Sequence, residues 1–345
     1  MTQNYPHLYQ ELFYRNTKDN LAKKEDFTQT ISIYKKALKL NPNSGWCYQN
    51  LAEITAQTPE KGSRAKAIDL YAQAWLSNAK EVKAWHDKYQ LITPNKSQKN
   101  LTRKSVFVTG WAHSGTTLML KLLNNHPLLY AINYESAIFT KSDSEIVRIL
   151  QVFDEICDKN DTRYWVEKTP EHIYTLGKIF AHRPQSKIIW MLRDGRDVIC
   201  SQMKSPLFKN LEYETLVDYW IASIIAGMNF LDDSRLKLVK YEDLITQTEK
   251  TLQHIFLCLE EDYTSKILDD QQQPFYYMNN KKVTKPEKLE DIRHILQLRN
   301  WQVNQPIFDG RGRWKKEMSE EQKEIFKQKA QKYLVMFSYA TDDNW

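Results

Sequence analysis

The sequence predicts an α/β protein with a parallel sheet flanked by helices, preceded by an all-α segment of helical repeats. Three observations carry this. Residues 106–120 (VFVTGWAHSGTTLML) form an apolar run that passes through a small-residue turn into a helical pattern. From about residue 105 onward, strand-like apolar runs alternate with helical patterns, as in sheets whose strands are joined by crossover helices. Before about residue 95 the chain reads as helices, and those helices repeat.

In the repeat region, residues 31–54 align with residues 68–92, placing Tyr34 over Tyr71, Ala37 over Ala74 and Trp46 over Trp85. The offsets of 37 and 39 residues slightly exceed the 34-residue tetratricopeptide period, with residues 57–63 taking up the excess. About two and a half units are visible, whereas such arrays usually need three or more to bury a continuous face. The array, 1–95, is therefore expected to pack against the following domain. The polar stretch TPNKSQKN, 93–100, points to a linker, set at 96–103, and a catalytic domain spans 104–345. In that domain strands are predicted at 105–110, 129–132, 164–167, 187–193 and 236–241. Helices are predicted at 116–125, 172–182, 195–203, 212–231, 246–258 and 319–336.

The net charge of +6 is small for 345 residues, and Lys and Arg are interspersed with acids, so no nucleic-acid surface is expected. The excess suits an anionic cofactor. Cys47, Cys157, Cys200 and Cys258 are far apart and contain no C-x-x-C pair, which argues against a zinc site or a disulfide framework. The first residues lack an apolar signal region and no run is long enough to span a bilayer, so a cytoplasmic enzyme with no membrane span is expected.

The turn after the first strand has the make-up of a phosphate site. Gly110 and Gly115 permit a tight loop with inward-pointing N–H groups, and Ser114, Thr116 and Thr117 add hydroxyls at the positive end of the next helix. A nucleoside-triphosphate loop reads G-x-x-x-x-G-K-S/T, and here Thr116 stands where the Lys would be. The loop suits a nucleotide presenting one phosphate that carries a transferable group. Its bland alternative is a strand–helix turn that binds nothing.

His113-Ser114-Gly115-Thr116-Thr117 resembles the R-S-G-T loop of sulfotransferases, which use 3′-phosphoadenosine 5′-phosphosulfate (PAPS). The run KIIWMLRDGRDVICSQ, 187–202, resembles the family's 3′-phosphate segment, with Arg193 and Ser201 as the phosphate ligands. Arg196, Asp194 and Asp197 are expected to be solvated ion pairs at a helix start. VEKTPEH, 166–172, resembles the segment carrying the catalytic Lys of tyrosylprotein sulfotransferases, here Lys168. KLVKYEDL, 237–244, resembles the family's strand ending in Tyr-Glu-Asp-Leu, whose Tyr lies near the adenosine, which makes Tyr241 a candidate contact. Residues 301–319 resemble the segment that closes over the nucleotide in sulfotransferases linked to tetratricopeptide repeats, with Gln302, Val303, Arg313 and Trp314 as cofactor contacts.

The resemblance implies that Lys168 and the loop neutralise charge on the bridging oxygen while a carboxylate takes the acceptor's proton. Glu135 is the candidate base, with His172 in reserve and His126 a structural residue at the helix end. His113 replaces the usual basic loop residue and is placed with the catalytic set. If a protonated His113 substitutes for that charge, activity falls as pH rises past its pKa. A second departure is Leu298-Arg299-Asn300, where the family often has Ser or Thr. The expected reaction is sulfuryl transfer without a metal to a carbohydrate or related alcohol. Peptide or protein tyrosine is the alternative acceptor, and the repeats offer a surface for a protein partner. Readings of other classes are a P-loop kinase and an interaction protein with a degenerate nucleotide domain.

Overall fold

In the computed structural model the chain divides into two compact units, Met1–Asn95 and Lys96–Trp345. The described residues are 105–345, apart from 209, 269–274, 277–283, 288–291 and 308, together with Ile31, Lys35 and Leu51. Those three are helical. The predicted repeats and linker otherwise lie outside the described residues.

The second unit is built on five parallel strands: β1 (Val106–Gly110), β2 (Leu129–Ala131), β3 (Tyr164–Lys168), β4 (Lys187–Leu192) and β5 (Leu236–Lys240). Their order is β2-β3-β1-β4-β5. The chain leaves central β1 toward β2 and β3, then crosses to β4 and β5 on the other side. The carboxyl end of β1, between those of β3 and β4, is thus the switch point where open α/β sheets bind ligands.

The strands are apolar on both faces because helices cover both. On one face Val106, Val108, Val166, Ile189 and Met191 pack with Met119, Leu120 and Leu123 of α1 (Thr116–Asn124). The other face is aromatic, with Phe107 edge-on to Trp165 at 5.2 Å and to Phe139 at 5.5 Å. Helix α2 (Asp143–Lys159) adds Phe153, 5.2 Å from Trp165.

The predicted helix 172–182 opens as a 3₁₀ turn, Pro170–Thr175, before α3 (Leu176–His182). Helices α4 (Gly195–Met203) and α5 (Tyr213–Met228) follow β4. The helix predicted at 246–258 is α7 (Thr248–Leu259), and a short helix, α6 (Tyr241–Thr246), precedes it. Then come α8 (Ile292–Val303), α9 (Trp314–Glu317) and α10 (Glu320–Met336). Helices α2, α6, α8 and α9 are additional to those the sequence predicts. Ser142 and Glu145 form a reciprocal capping box at the start of α2, a signal that the sequence carried.

A buried ion pair ties α2 to the end of α3. Arg183 Nη2 lies 2.5 Å from Asp154 Oδ2, and Trp165 Nε1 donates to Asp154 Oδ1 at 2.9 Å. Replacing Asp154 by Ala strands a buried guanidinium, and we expect a loss of about 3–5 kcal/mol. Urea unfolding of the Asp154→Ala variant checks this, and an unchanged midpoint contradicts it.

Candidate active site

The loop between β1 and α1 depends on backbone that only small residues allow. Gly110 has φ 142°, and a Cβ there would meet Met191 O of the neighbouring strand at 2.3 Å. Gly115 has φ 92°, and its Cβ would meet the Tyr241 ring at 2.6 Å. Between them His113 also takes a positive φ, 73°, and Ser114 N donates to Trp111 O at 3.1 Å. Ser114 and Thr116 are buried, and Thr117 is half-buried at the first turn of α1, whose N-terminal amides favour an anion.

Arg193 follows the last residue of β4 and reaches across the loop. Its Nη1 donates to His113 O at 3.1 Å, its Nη2 donates to Gly310 O at 2.7 Å, and its plane lies 4.2 Å from the Tyr241 ring centroid. The buried Nε of Arg193 has no hydrogen-bond partner, and neither has the buried Nε of Arg313. Ser201, on α4, lies with its Oγ 2.8 Å from His113 Nδ1. Arg193 and Ser201 therefore grip the same loop residue, one by its carbonyl and one by its ring.

On the opposite side of β1, Lys168 ends β3. Its Nζ lies 2.5 Å from Glu135 Oε1, and only 1% of its side chain is exposed. Arg299 of α8 brings Nη1 to 3.5 Å from the same oxygen. Burial pushes the Lys168 ammonium below its ordinary value, with Glu135 opposing and Arg299 reinforcing the shift. Beside it, fully buried Glu167 accepts from Ser136 N, Ser136 Oγ and Thr169 Oγ1 at 3.0, 2.8 and 2.6 Å. Burial works against its charge, but His172, Thr169 and Ser136 together outweigh it and hold the carboxyl below its usual range. His172 Nδ1 is 3.0 Å from Glu167 Oε2, and its ring sits against Phe107 and Phe139. These contacts seat its ring in the apolar core.

Residues 143–265 match the model of the sulfotransferase family. Over that segment the chain is similar to sulfotransferases. The match spans Lys168, Arg193, Ser201 and Tyr241, while the loop, Glu135 and the C-terminal segment lie outside it. No curated protein matches the chain by sequence. Among solved structures, the sulfotransferase domain of the Synechococcus PCC 7002 olefin synthase is 18% identical, covering 59% of this chain and 94% of that one at a TM-score of 0.43. Mouse sulfotransferase SULT7A1, complexed with PAP, is 14% identical over 72% and 96% of the two chains, at a TM-score of 0.44. A sulfotransferase from Alicyclobacillus acidocaldarius is 13% identical over 69% and 96%, at 0.40.

The cluster at the start of α4 is not the solvated ion-pair group that the sequence suggested. Arg196, Asp194 and Asp197 are all buried. Asp197 accepts from Gly312 N at 2.7 Å and from Trp314 N at 3.1 Å, pinning the C-terminal segment beside Arg193. Arg196 is paired with Asp194 at 2.7 Å and lies 3.9 Å from the Trp314 ring centroid and 4.4 Å from that of Trp345. Trp314, expected to contact cofactor, thus has its ring against Arg196. Val303, expected likewise, points its side chain into the apolar core, and Gln302 is exposed at the end of α8. His126 is structural, with Nε2 3.1 Å from Asp262 O and its ring stacked on Phe256.

His113 also departs from expectation. Burial, then Arg299, Arg193 and Arg313, lower its pKa to about 3, against a weaker upward pull from Glu135. It is neutral near pH 7, so the loop's missing positive charge is not restored by a protonated ring. Because its folded pKa lies below the ordinary 6.5, the unfolded chain takes up the proton first as pH falls, and stability is lost through that window. We expect the Tm of His113→Gln to drop less than that of the wild type between about pH 7.5 and pH 5. Parallel melting curves would contradict this.

Sequence reasoning missed two residues of the site. The interaction of Asp197 with a segment more than a hundred positions away leaves no local trace. Arg299 drew notice as a departure near a nucleotide contact, whereas it lies against the candidate base.

Among the described residues, no helix is long and apolar enough to cross a membrane.

Proposed function

We propose that the protein transfers the sulfuryl group of PAPS to a hydroxyl acceptor, a carbohydrate or related alcohol. One observation carries this reading: Lys168, paired to Glu135, at the end of β3 and Arg193, with an orphaned buried Nε, just after β4 flank the β1 loop at the sheet's switch point. The residues present fit the donor. Ser114, Thr116, Thr117 and the first amides of α1 would hold the 5′-phosphosulfate, Arg193 and Ser201 the 3′-phosphate, and Tyr241 and Arg313 the surrounding nucleotide.

When bound, the donor supplies an activated sulfuryl group whose bond to the 5′-phosphate oxygen breaks as a bond to the acceptor oxygen forms. Lys168 stabilises the negative charge that collects on the departing phosphate oxygen. Glu135 receives the acceptor's proton and directs the oxygen in line with the leaving group. Neutral His113 serves as a hydrogen-bonding group with Ser201 and shapes the loop through its positive φ. The cytoplasm, where the donor is made, is the proposed site of action.

Incubating the protein with sulfur-labelled PAPS and parallel panels of sugar alcohols, glycosides and tyrosine peptides tests the reading. Label in the sugar panel is the expected result. Label confined to the peptides would replace the acceptor class, and transfer to neither with no release of product nucleotide would remove the activity.

A further inference from the structure

Asp197 lies in the first turn of α4 and is 1% exposed. Its carboxylate reaches the C-terminal segment: Oδ2 accepts from Gly312 N at 2.7 Å and Oδ1 from Trp314 N at 3.1 Å. Those two amides stand on either side of Arg313. Taking a carboxylate out of water is costly, and charge-assisted bonds from backbone amides offset that cost only while the segment stays in place. The segment gains a hold that it cannot supply itself. Gly312 turns it through a positive φ of 71°, and α9 is a single helical turn, too short to be stable alone.

What the hold serves is the side chain between the two amides. The Nε of Arg313 is buried without a hydrogen-bond partner, and the charge of this residue acts on both His113 of the loop and Tyr241. Its guanidinium is therefore close to the loop and the ring that frame the nucleotide site. Arg196 also touches the segment, but through the Trp314 ring, which leaves the backbone around Arg313 to Asp197.

We propose that Asp197 is a positioning residue for the nucleotide, fixing the backbone on both sides of Arg313 so that this guanidinium meets the donor already ordered. This rests on the site binding 3′-phosphoadenosine nucleotides. The start of α4 then serves two arginines in different ways. Arg193 bonds Gly310 O of the segment, yet it is also anchored by His113 O and the face of Tyr241, whereas Arg313 depends on Asp197.

The test is a double-mutant cycle read by calorimetric titration of the full chain with 3′-phosphoadenosine 5′-phosphate, which needs no acceptor. Asp197→Ala and Arg313→Ala should each weaken binding by about 10–30-fold, the scale of one charge-assisted hydrogen bond. In the Arg313→Ala background, removing Asp197 should weaken it by no more than about threefold. If Asp197→Ala does not fold, Asp197→Asn completes the cycle, because its amide offers one acceptor to two donors. A merely structural role lowers affinity by the same factor in both backgrounds, and that result overturns the proposal. Unchanged affinity in either single variant, with the wild type binding, overturns it as well and leaves the sulfotransferase reading standing. Failure of the wild type to bind the bisphosphate overturns both.

Discussion

Replacing Lys168 by Ala is expected to lower sulfuryl transfer by about 10²–10³-fold, the scale of losing one preorganised charge at a developing oxyanion. The effect follows from where the sequence puts the residue. Lys168 is the last residue of a strand whose other positions are all buried, and Pro170 follows two positions later, so the backbone turns away and the ammonium is left at the switch point. The ammonium is held by Glu135 before the donor arrives, so it need not be recruited from solvent. Since the pair is buried, its loss also costs stability, and the Tm of the variant must be followed alongside its rate. Lys168→Arg separates the two effects, because it keeps a charge for Glu135 but not the compact ammonium. Release of labelled sulfate or sulfated acceptor from PAPS gives the rate, and a Lys168→Ala variant within threefold of wild type would remove Lys168 from the chemistry.

Arg193→Ala should weaken binding of 3′-phosphoadenosine 5′-phosphate by about 100-fold, roughly 2.7 kcal/mol, the range for charge-assisted hydrogen bonds to a phosphate. In the unliganded arrangement Arg193 joins three parts of the site: the loop through His113 O, the C-terminal segment through Gly310 O, and the face of Tyr241. Its Nε remains without a partner in a buried setting, where an unmet donor is costly and a phosphate oxygen would satisfy it. Arg193→Lys keeps the charge but loses the fork, so it should recover only part of the affinity. An unaltered dissociation constant for Arg193→Ala would place the nucleotide elsewhere.

The parts of this protein that were legible in its sequence are those that local chemistry decides. The strand–loop–helix around Gly110 and Gly115 announces itself because positive φ and close approach to a neighbouring backbone demand glycine. Arg193 stood out because a charged residue at the end of an apolar strand needs a purpose. Helix α2 was overlooked even though its capping box was present, since its burial is confined to a narrow stripe led by Ile146, Leu150 and Phe153. What the sequence could not disclose was set by distant partners. Arg196, Asp194 and Asp197 have the composition of a solvated cluster, and only the arrival of Gly312, Trp314, Tyr339 and Trp345 from the C-terminal segment buries and employs them. The same holds for His113, which as a loop residue promised a titrating charge and is instead held neutral by burial and the arginines around it.

The most direct test of sulfuryl transfer at this site is a calorimetric titration of the wild-type chain with 3′-phosphoadenosine 5′-phosphate in the absence of metal, set beside ATP with Mg²⁺. Saturable binding of the bisphosphate, with ATP much weaker, is the predicted result. Preference for Mg-ATP would contradict the account and make the loop that of a kinase.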